Sequence, residues 1–481
     1  MRTRPAWKIL AAFLHRAAFL PGAVLLAWPA IYNRYPLLFP DSISYINSGA
    51  PVARALFLRQ PSDYYGMRSL LYALGIAPFH PGGNLWPVIA LQAVLIAYVL
   101  WFVVQSFAPG RTAVVYYAIV IPLALFTGLG WVASIVMPDA LGALLYLVIY
   151  LLVFGWKSGV WESGSRWQRL VLMVIAWWGA TAHITHIMLG AGLCLFLLAA
   201  LLVTRSATKQ RLRGLAVSAG IIVAAILAHM AVHGVLYGKP TLNGERPAYL
   251  SARLLADGTG RQYLREYCPQ AGLALCDYVQ HLPESPDGFL WDDDGIWQTA
   301  SPEKQALILR QETAFARGVI RAYPRQQLAI SGAAFWNQLH NFDINNTPSP
   351  WLSEAVAASL PSQTYAYEHS RQAEGTLPNE LLSTIQNWTV GSALALAVIL
   401  VPFIWRRRAV RIVGLAAVVF PILVANALIT GVLAEVDDRY QDRVIWLLPF
   451  FAGMVVVEFI NQRRFARTAT SLPAQLSEIQ R

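Results

Sequence analysis

The chain has 481 residues, of which 56% are apolar and 13% charged, and it carries a formal net charge of +11. So few charges cannot cover the surface of a water-soluble protein of this length, and the apolar residues gather in runs near the ~20 needed to cross a bilayer. The composition points to an integral membrane protein. It also excludes reading the basic excess as a nucleic-acid footprint, because the Lys and Arg fall in short clusters between apolar runs, where topology signals belong.

Arg2, Arg4 and Lys8 precede the first apolar run, 9–32. It opens as a signal peptide does, but it is long and has no small-x-small cleavage site, so it reads as an uncleaved first span. Further spans are expected at 85–107, 112–131, 139–156, 169–184, 186–204, 214–237, 387–405, 412–433 and 444–460, about ten in all. The run from Leu170 to Val203 is too long for one span, and His183-Ile184-Thr185-His186 supplies a polar break within it. With the N-terminus in the cytoplasm, the basic clusters at 157–169, 205–213, 406–411 and 463–467, and the lone Arg111, all fall inside.

The opposite face then carries the loop 33–84, the turn Met137-Pro138-Asp139-Ala140, the His183/His186 break, the long polar region 238–386 and the short loop 435–443. In the first loop, Ser44–Leu58 and Ser69–Ala77 have helical apolar spacing, which fits two interfacial helices. In the polar region, Ser301-Pro302-Glu303-Lys304 reads as a cap with proline in the first turn of a helix over Pro302–Tyr323. The expected organisation is an N-terminal transmembrane module, 1–237, an α-rich extracytoplasmic cap, 238–386, C-terminal transmembrane helices, 387–467, and a polar cytoplasmic tail, 468–481. The fold class is an all-α polytopic membrane protein.

Asp41 lies just past the first span, in Phe39-Pro40-Asp41-Ser42-Ile43-Ser44-Tyr45. It reads either as the N-cap of the loop helix or as a general base that takes a proton from an acceptor hydroxyl or amine. Asp139 opens a span, where an acid suits the helix dipole, yet ionisable residues at membrane depth are functional candidates. His183 and His186, three apart, serve either the helix break, a metal or a substrate phosphate. Arg54, Arg59, Arg68, Arg439 and Arg443 run against the positive-inside trend and suit phosphate recognition, although Asp437, Asp438 and Asp442 offer Arg439 and Arg443 nearby partners. Cys268 and Cys276 are expected to bond if their region is extracytoplasmic. No cofactor is specified; paired carboxylates leave room for a divalent metal, although no Asp-x-Asp occurs.

These stretches resemble the GT-C superfamily of polytopic glycosyltransferases, which includes protein O-mannosyltransferases and the lipid A aminoarabinose transferase. Pro40-Asp41-Ser42-Ile43-Ser44-Tyr45, Tyr64-Tyr65-Gly66-Met67-Arg68-Ser69-Leu70-Leu71-Tyr72, Pro138-Asp139-Ala140 and Asp438-Arg439-Tyr440 carry the resemblance, which is best in the first third of the chain. The chain departs from the family pattern in having no proline directly after Arg68. The resemblance implies transfer of a sugar from a polyprenyl-phosphate donor to an extracytoplasmic glycan, lipid or protein, with inversion. Asp41 would be the base and Asp139 would assist. Arg68, with Arg439 or Arg443, would bind the lipid phosphate, and Tyr45, Arg59, Tyr65, His183, His186 and Tyr440 would line the substrate site. It also implies a bacterial inner membrane, with the site facing the periplasm and both termini cytoplasmic. Two alternatives stay open: a polysaccharide polymerase or ligase using a lipid-pyrophosphate donor, and a lipid-linked glycan transporter.

Overall fold

The computed structural model describes residues 17–62, 65–66, 68–155, 166–244, 246–345, 350–405 and 409–479. The start of the first expected span, Tyr64, Met67 and most of the basic clusters at 157–169 and 406–411 lie outside the described residues. Among the described residues every regular element is a helix.

Among the described residues six helices are long and apolar enough to cross a membrane: Trp86–Phe107, Ile184–Val203, Lys209–Tyr237, Asn379–Pro402, Val410–Leu433 and Asp438–Arg463. Others among the expected spans are shorter. Thr112–Phe126 and Asp139–Phe154 have 15 and 16 residues, and Arg166–Ala182 has 17. The described part of the first span is two short helices, Leu20–Leu26 and Trp28–Asn33, each with a proline in its first turn.

The chain divides into two compact units, Met1–Leu242 with Asp343–Ile422 and Asp442–Arg481, and Asn243–Phe342 with Leu423–Gln441. The polar stretch 343–386 thus belongs to the first unit.

The first unit is built around Asp139–Phe154. Every residue from Asp139 to Val153 is buried. Helices Trp86–Phe107, Arg166–Ala182, Ile184–Val203 and Lys209–Tyr237 pack against it. Its length is about 24 Å at 1.5 Å per residue. Close packing needs small residues where backbones meet, because lipid tails are as apolar as the helices and supply no hydrophobic drive. A methyl on Gly179 would lie 2.7 Å from the Leu141 carbonyl oxygen, and one on Gly214 would overlap the Leu152 carbonyl.

Two segments before helix starts are paired. Leu37 and Ile135 form an isolated parallel bridge. The Leu37 N–H donates to Ser134 O at 3.0 Å, and the Val136 N–H donates to Leu37 O at 3.1 Å. Gln372, 1% exposed, holds the same segment from another side. Its Nε2 donates to Leu38 O at 2.7 Å and its Oε1 accepts from Leu38 N at 3.1 Å.

The second unit centres on Pro302–Ala322. Ser301 caps it by accepting from Lys304 N, as the Ser-Pro start predicts, and the observed end is Ala322. Leu255, Leu264, Phe289, Ile308, Phe315 and Val319 form its core. Buried Glu312 reaches from this helix to the Leu250 N–H, 2.9 Å, and the Ser251 N–H, 3.3 Å, so it satisfies the open N-terminus of Tyr249–Ala256. A disulfide joins Cys268 to Cys276. Within the same unit, Gln338 brackets Asp437, donating to its carbonyl at 2.8 Å and accepting from its N–H at 2.9 Å.

Gly214→Ala should lower the thermal midpoint of the purified protein, since overpacking typically costs ~1–3 kcal/mol. Gly220→Ala, in the same helix with nothing within 4 Å of its added methyl, should leave the midpoint unchanged or raise it. Equal loss in both variants would refute the close approach.

Candidate functional site

The bridge has a consequence for the two acids. Pro40 and Pro138 each stand three residues beyond a bridging residue, and Asp41 and Asp139 stand four beyond. Both prolines sit where a helix begins, a position that tolerates the missing N–H. Two equivalent Pro-Asp turns therefore leave one paired segment. Each carboxylate lies in the first turn of its helix, where the dipole favours negative charge.

Their surroundings differ. Helix Pro40–Leu58 has Phe39 as its N-cap, so Asp41 is not the cap, and the helix starts four residues before the expected Ser44. Ser42 Oγ accepts the Phe39 N–H at 2.9 Å instead. That leaves the Asp41 carboxylate to Arg68, whose Nη2 lies 2.6 Å from Asp41 Oδ1. The pair is partly accessible, with side-chain exposures of 27% for Arg68 and 15% for Asp41. Asp139 instead meets Arg443 Nη1 at 3.1 Å, with side-chain exposures of 8% and 2%.

The loop carrying Arg68 is shaped by Gly66, at φ 92°, where a side chain would collide with Ser48. Ser69 then caps the helix Leu70–Ile76 through the Tyr72 N–H and donates to Thr181 O at 2.8 Å. The expected helix over Ser69–Ala77 is thus present with Ser69 as its cap.

Tyrosines connect the two acids. Tyr45, one turn after Asp41 and 2% exposed, meets Tyr72 edge to face at 4.9 Å. Tyr72 donates to Gln92 Oε1 at 2.7 Å and lies within electrostatic reach of Asp139. Gln92 Nε2 donates to Ile135 O at 2.8 Å, which returns the chain of contacts to the bridging residue.

The histidines attend to the helix break. One helix ends at Ala182 and the next starts at Ile184, with His183 as N-cap accepting the Thr185 N–H at 3.2 Å. His186 is buried and bonds Gly179 O through Nδ1 at 2.9 Å. Its Nε2 packs where Gly142 has no side chain, within electrostatic reach of Asp139 and Arg443. His229, which the sequence did not single out, donates through Nε2 to Thr181 O at 3.0 Å. No three His, Cys, Asp or Glu among the described residues gather closely enough to hold a metal.

Other residues expected at a substrate site lie elsewhere. Tyr65 is buried among Val52 and Leu70 and packs edge to face with Tyr237 at 5.7 Å, so it serves an apolar cluster. Arg54 and Arg59 are exposed on the far end of helix Pro40–Leu58, beside exposed Phe57 and Leu58. That arrangement suits an interfacial helix, not a binding cleft. Arg443 is buried against Asp139, so a phosphate would reach it only by breaking that pair. Arg439 and Tyr440 belong to the second unit. There the Arg439 N–H donates to Asp437 Oδ1 at 2.9 Å and its guanidinium stacks over Tyr440 at 5.1 Å. In the same unit burial, then Asp287 and Asp437, push the Glu435 carboxyl above its ordinary pKa, while Arg253 and Arg439 pull it down.

Sequence reasoning also missed Gln386 and Asp442 as a buried pair. Gln386 Nε2 donates to Asp442 Oδ1 at 2.7 Å, and its Oε1 accepts the Gly128 N–H. No side chain fits at Gly128, because Asp442 occupies the space.

No protein-family model, curated protein or solved structure matches the chain.

The two acid pairs should separate in stability measurements. Removing one partner of a buried pair leaves an uncompensated charge, so Arg443→Met should cost about 3–5 kcal/mol. The double variant Asp139→Leu/Arg443→Met should recover most of it. Asp41→Asn, at the accessible pair, should cost under about 1 kcal/mol. Thermal unfolding of the four proteins tests this, and equal losses at Asp41 and Arg443 would contradict the assignment.

Proposed function

We propose that the chain is a membrane glycosyltransferase that moves a sugar from a polyprenyl-phosphate donor to an extracytoplasmic acceptor, with inversion and with Asp41 as general base. The observation that carries this reading is the Asp41–Arg68 pair: a carboxylate and a guanidinium held together, partly accessible, in a protein with membrane-length helices. A base and a phosphate-binding cation are the two groups the reaction needs. The acceptor oxygen bonds to the anomeric carbon as the carbon–phosphate oxygen bond breaks. The acceptor proton passes to Asp41, and the departing phosphate carries its charge to Arg68.

The pairing also gives an order of events. A donor phosphate competes for the same guanidinium and draws it away, which opens the carboxylate to the acceptor hydroxyl when a substrate is bound. Asp139 assists from a distance by fixing Arg443 and the start of its helix.

The reading includes about ten spans, with the shorter apolar helices completing the bundle, and a cytoplasmic N-terminus in a bacterial inner membrane. The bonded Cys268 and Cys276 support an extracytoplasmic location for their region, because disulfides persist in oxidising compartments.

Asp41→Asn should lower transfer from a radiolabelled polyprenyl-phosphate sugar by at least about a hundredfold, the usual contribution of a general base. Arg68→Gln should raise the KM for the donor. Undiminished transfer by Asp41→Asn would sink the mechanism. Donor movement across proteoliposomes without any glycosylated product would replace it with the transporter reading.

A further inference from the structure

A second polar site lies at the other end of the Asp139 helix. A cavity of about 550 Å³ is lined by Arg111, Arg411, Glu458, Asn461 and Gln462 together with the end of helix Trp86–Phe107. Its volume falls in the range of small-molecule sites, ~300–1,000 Å³. Helix Trp86–Phe107 has 22 residues, about 33 Å long at 1.5 Å per residue, so its end reaches the headgroup level of a bilayer it spans.

The lining is built. Arg111 Nη2 donates to Asn461 Oδ1 at 2.6 Å, and Asn461 Nδ2 donates to Phe107 O at 3.0 Å. Arg411 Nη1 donates to Ser106 O at 2.7 Å. Each guanidinium has five N–H donors, so one such bond leaves it able to hold an anion. Glu458 accepts from Gln462 at 3.1 Å. Among the described residues neither arginine forms an ion pair with a carboxylate, and Glu458 pairs with no cation. Behind them stands Tyr150, fully buried, beside Ser106 and within electrostatic reach of both Arg411 and Glu458.

We propose that this cavity binds the zwitterionic headgroup of a phosphoethanolamine lipid. Arg111 and Arg411 take the phosphate diester, and Glu458 takes the primary ammonium two carbons away. Two separated guanidiniums suit a diester, which offers two non-bridging oxygens. A carboxylate in the same cavity repels a purely anionic headgroup and attracts an ammonium that can donate hydrogen bonds. Val114, Val410 and Ile460, each within three residues of a lining side chain in sequence, are exposed and offer apolar surface to acyl chains. The site rests on the membrane reading of the helices and not on the transferase reading, and it is separate from Asp41 and Asp139.

The test uses the full chain in detergent with short-chain phosphatidylethanolamine, phosphatidylglycerol and phosphatidylcholine, and bound lipid is counted by native mass spectrometry. Phosphatidylethanolamine should be retained about tenfold more strongly than the other two, the effect of one charge-assisted contact. Glu458→Gln should erase that preference, and Arg411→Gln should weaken all three lipids. Glu458→Gln nearly preserves the shape of the side chain, so it remains informative where Arg411→Gln loosens the helix end. Equal retention of the three lipids, or a preference that survives Glu458→Gln, would overturn the proposal. So would competition by free phosphoethanolamine at the same concentration as the lipid, because the ligand would then be a soluble phosphoester.

Discussion

A charge placed inside an apolar bundle must bring its counter-charge with it. Asp139 starts a helix that is buried from its first residue to Val153, and Arg443, from the far end of the sequence, is the group that neutralises it. The cost of stripping water from both ions is several kcal/mol each, so neither is stable there alone. That requirement fixes where the chain must return after more than three hundred residues. Once Arg443 is docked, its neighbour Asp442 meets Gln386 and the Gly128 turn. The position of the last helices in the first unit follows from one ion pair and one amide.

Much of the local structure was legible in the sequence because local chemistry set it. Ser301-Pro302 announced a capped helix start, Ser69 capped the helix it was expected to open, and His183 marked the break between two apolar helices. These devices act over three or four residues, within reach of reading by eye. The apolar runs likewise announced the long helices, since period and length both survive in the sequence. The run at 112–131 forms a shorter helix than expected because apolar composition does not locate a helix end. Thr127 leaves the helix in an extended conformation, and Ile135 enters the bridge.

The site was only half legible. Asp41, Asp139 and Arg68 stood out as ionisable residues at the edges of apolar runs. Their partners could not be read, because the pairs span 27 and 304 residues and separation alone does not choose a partner. Arg443 has two acids close to it in sequence, Asp438 and Asp442, yet it pairs with Asp139. Gln92, Gln372, Gln386 and His229 were invisible for another reason. Each satisfies backbone carbonyls or amides, and the need for a buried amide appears only when the backbone groups around it are known.

The two Pro-Asp turns show how one local motif divides into two roles. They leave the same bridge in the same register, and each puts a carboxylate into a helix first turn. What distinguishes them is the partner's reach to water. Arg443 is sealed beneath the bundle surface, so an anion from solution reaches it only by breaking its pair with Asp139. Arg68 comes from a loop turned by Gly66 and remains accessible, so an incoming anion can compete for it. The motif supplies the acid, and the exposure of its arginine decides whether a group from solution can reach the pair.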